Sequence, residues 1–213
     1  ILTALAAEGI DTSRCKVFNG ATSFSSVEII DGDRVFGESD HGVGDLLHLD
    51  EEDFRFIKTY DVVHTSVFSH LEGQLADLKK ASRNLSFDLS QRCDQEYLEL
   101  VLPHCDVAFI SLSDIPTEEQ DDLIIRLQAM GPKLIVATRG KYGSWVYDGQ
   151  NMYHQDIFEV EAIDSLGAGD AFAARFLVEY FDGTPIAEAM LRAAQSAAQN
   201  CTWYGAFGHG VSY

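Results

Sequence analysis

The stretch 164-DSLGAGDAFAARF-176 places two glycines, Gly167 and Gly169, and an acid, Asp170, directly ahead of a helix-forming run. Glycine allows backbone geometry and close approach that a Cβ obstructs. If a helix starts at this turn, the N–H groups of residues 167–170 lack intrahelical partners and point out at the positive end of the helix dipole. Such a turn is an anion site. It suits the charge that spreads over a phosphoryl group in transfer. Asp170 stands at its rim, where an acid can accept a proton from an attacking hydroxyl. Taken alone, the same residues also describe a plain loop entering a helix.

The elements that must hold this turn follow from periodicity. Apolar strands at 61–68, 84–90, 106–112 and 133–138 alternate with helical segments at 50–60, 72–82, 94–102 and 117–130. That alternation predicts an α/β fold with a largely parallel sheet covered on both faces. Ligands in such folds bind beyond the carboxyl ends of the strands. A hairpin is expected at 144–155, turning at Asp148-Gly149. Helices at 168–181 and 185–200 close the chain, the second with Thr184 as its cap and Pro185 at its first position. Its Ile186, Ala189, Met190, Ala193, Ala194, Ala197 and Ala198 share one face.

Upstream, 1-ILTALAAEG-9 reads as an amphipathic helix stopped by Gly9. A chain that opens inside such a helix is expected to lack an N-terminal portion. Residues 16–37 read as strands with one wet face, with a turn at Asp31-Gly32-Asp33. The expected organisation is a β-ribbon lid at 16–46 and an α/β core at 47–213, with residues 1–15 as a helix end of that core.

Composition narrows the partners. A net charge of −19 over 213 residues argues against nucleic acid, which needs concentrated Lys and Arg. It leaves room for a phosphorylated small molecule held by backbone N–H groups and a metal ion. No apolar run approaches the roughly 18 residues of a membrane span, so no membrane partner is expected. Cys15, Cys93, Cys105 and Cys201 form no CxxC pair, which points to reduced thiols in a cytoplasmic protein.

The turn has company. The signature from Asp164 through Phe172, with Phe176-Leu177 behind it, resembles the C-terminal signature of the ribokinase-like (PfkB) carbohydrate kinases. It departs chiefly at Arg175, where that family has a small residue. The segment 137-ATRGKYGSWVYDG-149 is similar to the family's Thr-x-Gly-x-x-Gly strand and hairpin, and 193-AAQSAAQNCTWYGA-206 to its last helix and adenine-side turn. The opening LAAEGIDTS resembles the family's lead-in to its lid strands. Within the family, 31-DGDRVFGE-38, 61-DVVHTSVFSH-70 and 87-FDLS-90 are most similar to the fructoselysine 6-kinase branch.

The resemblance implies a three-layer α/β/α fold with a small β lid, and ATP-dependent phosphorylation of a hydroxyl on a sugar or glycated amino acid, with ATP and Mg2+. It implies Asp170 as catalytic base and the backbone of Leu166, Gly167, Ala168 and Gly169 as the anion hole. Thr138 and Gly140 would lie along the ATP phosphates with Gly143 in the same loop, or form a simple strand-to-turn junction. Ala197 and Asn200 would line the adenine pocket, unless Asn200 is only a polar helix end. His64 and His70 would face the substrate, or be ordinary core and surface histidines. The ribbon would close over the sugar or, through its open edge, pair with a second copy.

Two departures matter. The family's Asn-x-x-Glu motif is replaced by 111-SLSD-114, which offers Asp114, with Glu118 and Glu119 a few residues on. The metal ligands are therefore unassigned. The family's Gly-Gly-x-x-x-Asn sugar anchor has no counterpart, since the chain contains no Gly-Gly pair. An alternative reading follows, a nucleotide-binding fragment or pseudokinase that lacks the sugar-anchoring strands. A dinucleotide-dependent oxidoreductase fits worse, because the turn lies near the C-terminus and GxGxxG is missing.

Overall fold

The structure, a computed structural model, describes residues 1–30, 33–206, 208 and 209. Helix α1 (Leu2–Ala7) ends at Gly9, which takes the left-handed φ of +75°. Strands β1 (Phe24–Ile30) and β2 (Asp33–Asp40) pair antiparallel, with Phe24 opposite Asp40 and a register shift between Ser25 and Val27. The expected turn at Asp31-Gly32 lies outside the described residues.

The first strand begins at Phe24 rather than near residue 16. Upstream, Arg14 and Lys16 are tied to the core instead, reaching Asp53 at 2.7 and 2.6 Å. Asp53 belongs to α2 (Glu51–Ile57), whose start is a reciprocal cap. The Asp50 carboxylate accepts from the N–H groups of Glu52 and Asp53, while Asp53 accepts from the N–H of Asp50.

From there strand and helix alternate. In order come β3 (Val63–Ser66), α3 (Leu75–Ala81), β4 (Leu85–Asp88), α4 (Gln95–Val101), β5 (Val107–Ser111), α5 (Gln120–Ala129) and β6 (Leu134–Thr138). The hairpin β7 (Ser144–Tyr147) and β8 (Met152–Gln155) follows, then α6 (Ala168–Phe181) and α7 (Ile186–Asn200). The sheet runs β3-β4-β5-β6-β7-β8, with the first four strands parallel and the hairpin antiparallel.

Neighbouring residues on one strand serve opposite cores, as the two-residue period requires. Ala108, Ile110, Ile135 and Ala137 pack with α3, α4 and α5. Val107, Phe109, Leu134 and Val136 pack with α6 and α7, where Phe172, Phe176 and Ala193 sit. The sheet is thus the middle of three layers. Among the described residues, no helix is long and apolar enough to cross a membrane.

One helix start differs from expectation. Pro185, not Thr184, is the cap residue of α7, and no side chain caps it. The Thr184 hydroxyl donates instead to Glu179 at 2.9 Å. Glu179 is buried, and a buried carboxylate gathers every available donor, here Arg175 and Arg192 as well.

Candidate active site

The turn before α6 is stitched in place from three sides. Asp164 accepts from the N–H of Leu166 at 2.9 Å and from that of Gly205 at 3.1 Å. The N–H groups of Ile163 and Asp164 donate to the Cys201 carbonyl at the end of α7. The buried Asn200 amide donates to the Leu166 carbonyl at 2.7 Å. Both backbone groups of Leu166 are therefore engaged, which removes it from the free donors of the expected anion hole.

The two glycines have different reasons to be there. Gly167 caps α6 at φ +77°, and a Cβ on it would lie 2.4 Å from the Ala206 carbonyl oxygen. No other residue fits that position. A Cβ on Gly169 would meet nothing within 4 Å, so this glycine keeps open the space in front of the helix. The Ala168 N–H makes a long bond of 3.3 Å to Ser165, and among the described residues those of Gly167, Gly169 and Asp170 have no protein acceptor. These are the orphan donors of the first helical turn.

Thr138, Gly140, Gly143, Ala168, Gly169 and Ala197 all line one cavity of about 640 Å³. Its far wall is small and apolar, from Ala194, Ala198 and Val160, and Lys141 adds a positive charge near the loop. Gly143 is required here, because at φ +91° its Cβ would sit 2.3 Å from the Gln155 carbonyl oxygen. The loop before it is closed on itself, with the Arg139 N–H donating to the Gly143 carbonyl at 2.9 Å. Asn200 does not line this cavity. It is turned inward, where it holds the turn through Leu166.

Asp170 is exposed in the first turn of α6. Its charge is felt by His64 on β3 and Asp88 at the end of β4. His64 keeps open surface but sits in a concave, protein-rich setting. Desolvation lowers its pKa below 6.5, against the pull of Asp88 and Asp170. Its Nδ1 lies 3.0 Å from the Ser86 hydroxyl. Burial raises the pKa of Asp88, opposed by the Ser90 N–H at 2.7 Å and by His64, with the like charge of Asp170 adding to the rise. His64, Asp88 and Asp170 thus lie within electrostatic reach of one another.

Asp114 lies three residues past the end of β5, and two residues before it the Leu112 N–H donates to the Thr138 carbonyl at 2.8 Å. Asp114, Glu118 and Glu119 are all exposed, and among the described residues they form no three-ligand cluster. Sequence reasoning missed the tying role of Asp164, although that residue opens the quoted signature. It also missed the lining segment around Phe158 and Val160, which carries no periodic signal.

A family model described as "pfkB family carbohydrate kinase" matches residues 1–208. A fructosamine kinase of Bacillus subtilis is 36% identical over an alignment spanning 100% of this chain and 76% of that protein. A fructoselysine 6-kinase of Escherichia coli is 32% identical, over 95% of this chain and 77% of its own length. Among solved structures, Arabidopsis thaliana ribokinase complexed with ribose and ATP superposes with a TM-score of 0.76 at 20% identity, covering 97% of this chain and 74% of that one. A probable sugar kinase of Rhizobium etli reaches 0.81 at 19% identity, covering 98% and 69%. At such identities these structures speak for the fold.

Proposed function

The chain belongs to the pfkB family of carbohydrate kinases, and we propose that it uses ATP to phosphorylate a hydroxyl on the sugar part of a sugar amine of the fructosamine or fructoselysine type. The observation that carries this reading is the start of α6. There free N–H groups, an unobstructed Gly169 and the carboxylate of Asp170 meet beside the cavity, with His64 and Asp88 within electrostatic reach. The 36% and 32% identities to two sugar-amine kinases support the substrate class.

In this reading Asp170 takes the proton of the attacking hydroxyl. The N–H groups of Gly167, Gly169 and Asp170, with a weaker contribution from Ala168, stabilise charge on the transferring group without reorganising. Thr138, Gly140 and Gly143 would hold the phosphates, and Ala194, Ala197 and Ala198 would give the base an apolar wall. When bound, ATP would supply the phosphoryl group and Mg2+ would neutralise part of its charge. Magnesium needs only one or two protein carboxylates and keeps several waters, a demand that Asp114 at the end of β5 can meet. Neutral His64, beside Ser86, is positioned to hydrogen-bond the sugar. The ribbon β1–β2, with Phe24 and Val27 exposed, closes over the sugar and excludes water, or lends its edge to a second copy.

The test is ADP release from ATP with a panel of fructose–amine adducts, free hexoses and ribose, on the wild type and on Asp170→Asn. The wild type is expected to turn over on the adducts. The variant should still bind ATP but lose about 10³-fold in kcat. Full turnover by the variant would remove Asp170 from its role. Tight ATP binding without turnover on any sugar would favour the nucleotide-binding alternative.

A further inference from the structure

A second cluster lies away from the nucleotide cavity, where the ribbon rejoins the core. His41 follows directly on β2, Asp45 lies one turn later in the 3₁₀ segment Gly42–Leu46, and His70 comes from the loop after β3. The His70 Nε2 is 2.9 Å from the His41 Nδ1 and 3.8 Å from an Asp45 carboxylate oxygen. One ligand atom from each residue lies within 4.8 Å of the other two. We propose that His41, Asp45 and His70 form a binding site for a borderline divalent metal ion of the Zn2+ class, which clips the base of the ribbon to the core.

The backbone holds these groups in advance. The Gly42 N–H donates to Asp40 at 2.6 Å and the Val43 N–H to the Ala21 carbonyl at 2.9 Å. At φ +51° a Cβ on Gly42 would meet the Ala21 carbonyl oxygen at 2.4 Å, so the turn is pressed against residues 21–22. His70 has a left-handed φ of +52°, rare for a residue with a Cβ. The preceding turn is fixed by the Ser66 and Ser69 hydroxyls. A rare backbone conformation that presents an imidazole to another imidazole is where function is sought first.

The ligand chemistry selects the ion. Two imidazole nitrogens and one carboxylate, without thiolate, suit Zn2+, Ni2+ or Cu2+, whereas Mg2+ prefers an all-oxygen shell. At Zn–N distances of about 2.0–2.1 Å, a tetrahedral centre needs the two nitrogens about 3.3 Å apart. The 2.9 Å pair therefore opens by only a few tenths of an ångström. Three protein ligands leave a fourth position to water. None of the three lines the nucleotide cavity, so the site is separate from any metal that accompanies ATP.

The test uses the full chain, stripped with a chelator and free of ATP and Mg2+. Titration with Co2+ should give visible d–d bands at one equivalent, without a thiolate charge-transfer band, and Zn2+ should displace the Co2+. His41→Ala and His70→Ala should each weaken binding at least about tenfold, and Asp45→Asn should weaken it too. His154→Ala and Cys15→Ser should leave it unchanged, and excess Mg2+ should not compete. In the wild type, Zn2+ should shift the imidazole NMR signals of two of the seven histidines, a readout that needs no variant. Lack of stoichiometric binding would overturn the proposal. So would binding that survives His41→Ala with His70→Ala, or a thiolate band.

Discussion

The start of α6 and the ribbon β1–β2 are built on opposite terms. At α6 the turn is bonded to the end of α7 through Cys201 and Asn200 and to Gly205 through Asp164, and the helix behind it is packed by a row of rings. Phe172, Phe176 and Tyr180 stack within 6° of parallel, and Phe109 meets Phe176 edge-on at 6.2 Å. The described ribbon side chains from residue 21 to 27, in contrast, are all exposed. Phosphoryl transfer relies on backbone dipoles, which work only if they need not reorganise. Substrate closure relies on movement, which is cheap where few apolar contacts must break. The difference teaches that rigidity has been concentrated at the start of α6, where the proposed function needs it.

The strongest challenge to this contrast is the pair of glycines. Gly167→Ala should cost about 3 kcal/mol, through the clash with Ala206 and the positive φ, and should abolish turnover as the turn shifts. Gly169→Ala should alter stability by less than about 0.5 kcal/mol, yet reduce turnover more than tenfold by filling the space kept for the phosphoryl group. Urea unfolding alongside steady-state ADP release separates the two, and equal stability losses would refute the assignment. Asn200→Ala should cost about 2 kcal/mol, by leaving the Leu166 carbonyl unpaired. It should lower kcat more than it raises the KM for ATP, whereas a residue lining the adenine pocket would do the reverse.

A smaller effect tests how the lead-in to the ribbon is anchored. Burial pushes the Asp53 pKa up, but Lys16, the Asp50 N–H and Arg14 outweigh it and hold the carboxyl at about 2. Its contribution to stability is present above the unfolded value of 3.8 and is lost as pH falls towards 2. Because Arg14 and Lys16 are partly exposed and screened by salt, that contribution is about 1 kcal/mol. Asp53→Asn should flatten the stability profile between pH 4 and pH 2, as read by urea unfolding at each pH. The smallest effect is expected in the ribbon itself. Val27→Thr, at a side chain 38% exposed, should leave stability within about 0.5 kcal/mol while raising the KM for the sugar. A large stability loss there would show that the ribbon is more than a cover.

Much of the fold was legible in local pattern. The apolar run at 134–138 is β6, and the small-residue face of the last helix is the buried face of α7, with Ala189, Met190, Ala193 and Ala194 inside. The hairpin closes about Asp148, which accepts the N–H groups of Gln150 and Asn151. The turn before α6 was legible in part. Its glycines and Asp170 were recognisable, but the pairing of Asn200 with Leu166 spans 34 positions and leaves no periodic trace. The His41–His70 contact spans 29, and the spacing of histidines within a single helix could not reveal it. Thr184 has the composition of a cap, but Glu179 claims its hydroxyl because a buried carboxylate is the stronger acceptor.

Strand and helix identities, the left-handed turns at glycine and the family signature were all decided by the sequence itself, because each depends on neighbours within a few residues. Tertiary structure decided which orphan N–H groups stay free at the start of α6, which glycine guards packing and which guards empty space. It also decided that His64, Asp88 and Asp170 feel one another's charge. Those outcomes depend on groups brought together across long loops, where desolvation and hydrogen-bond competition are set by the folded surroundings.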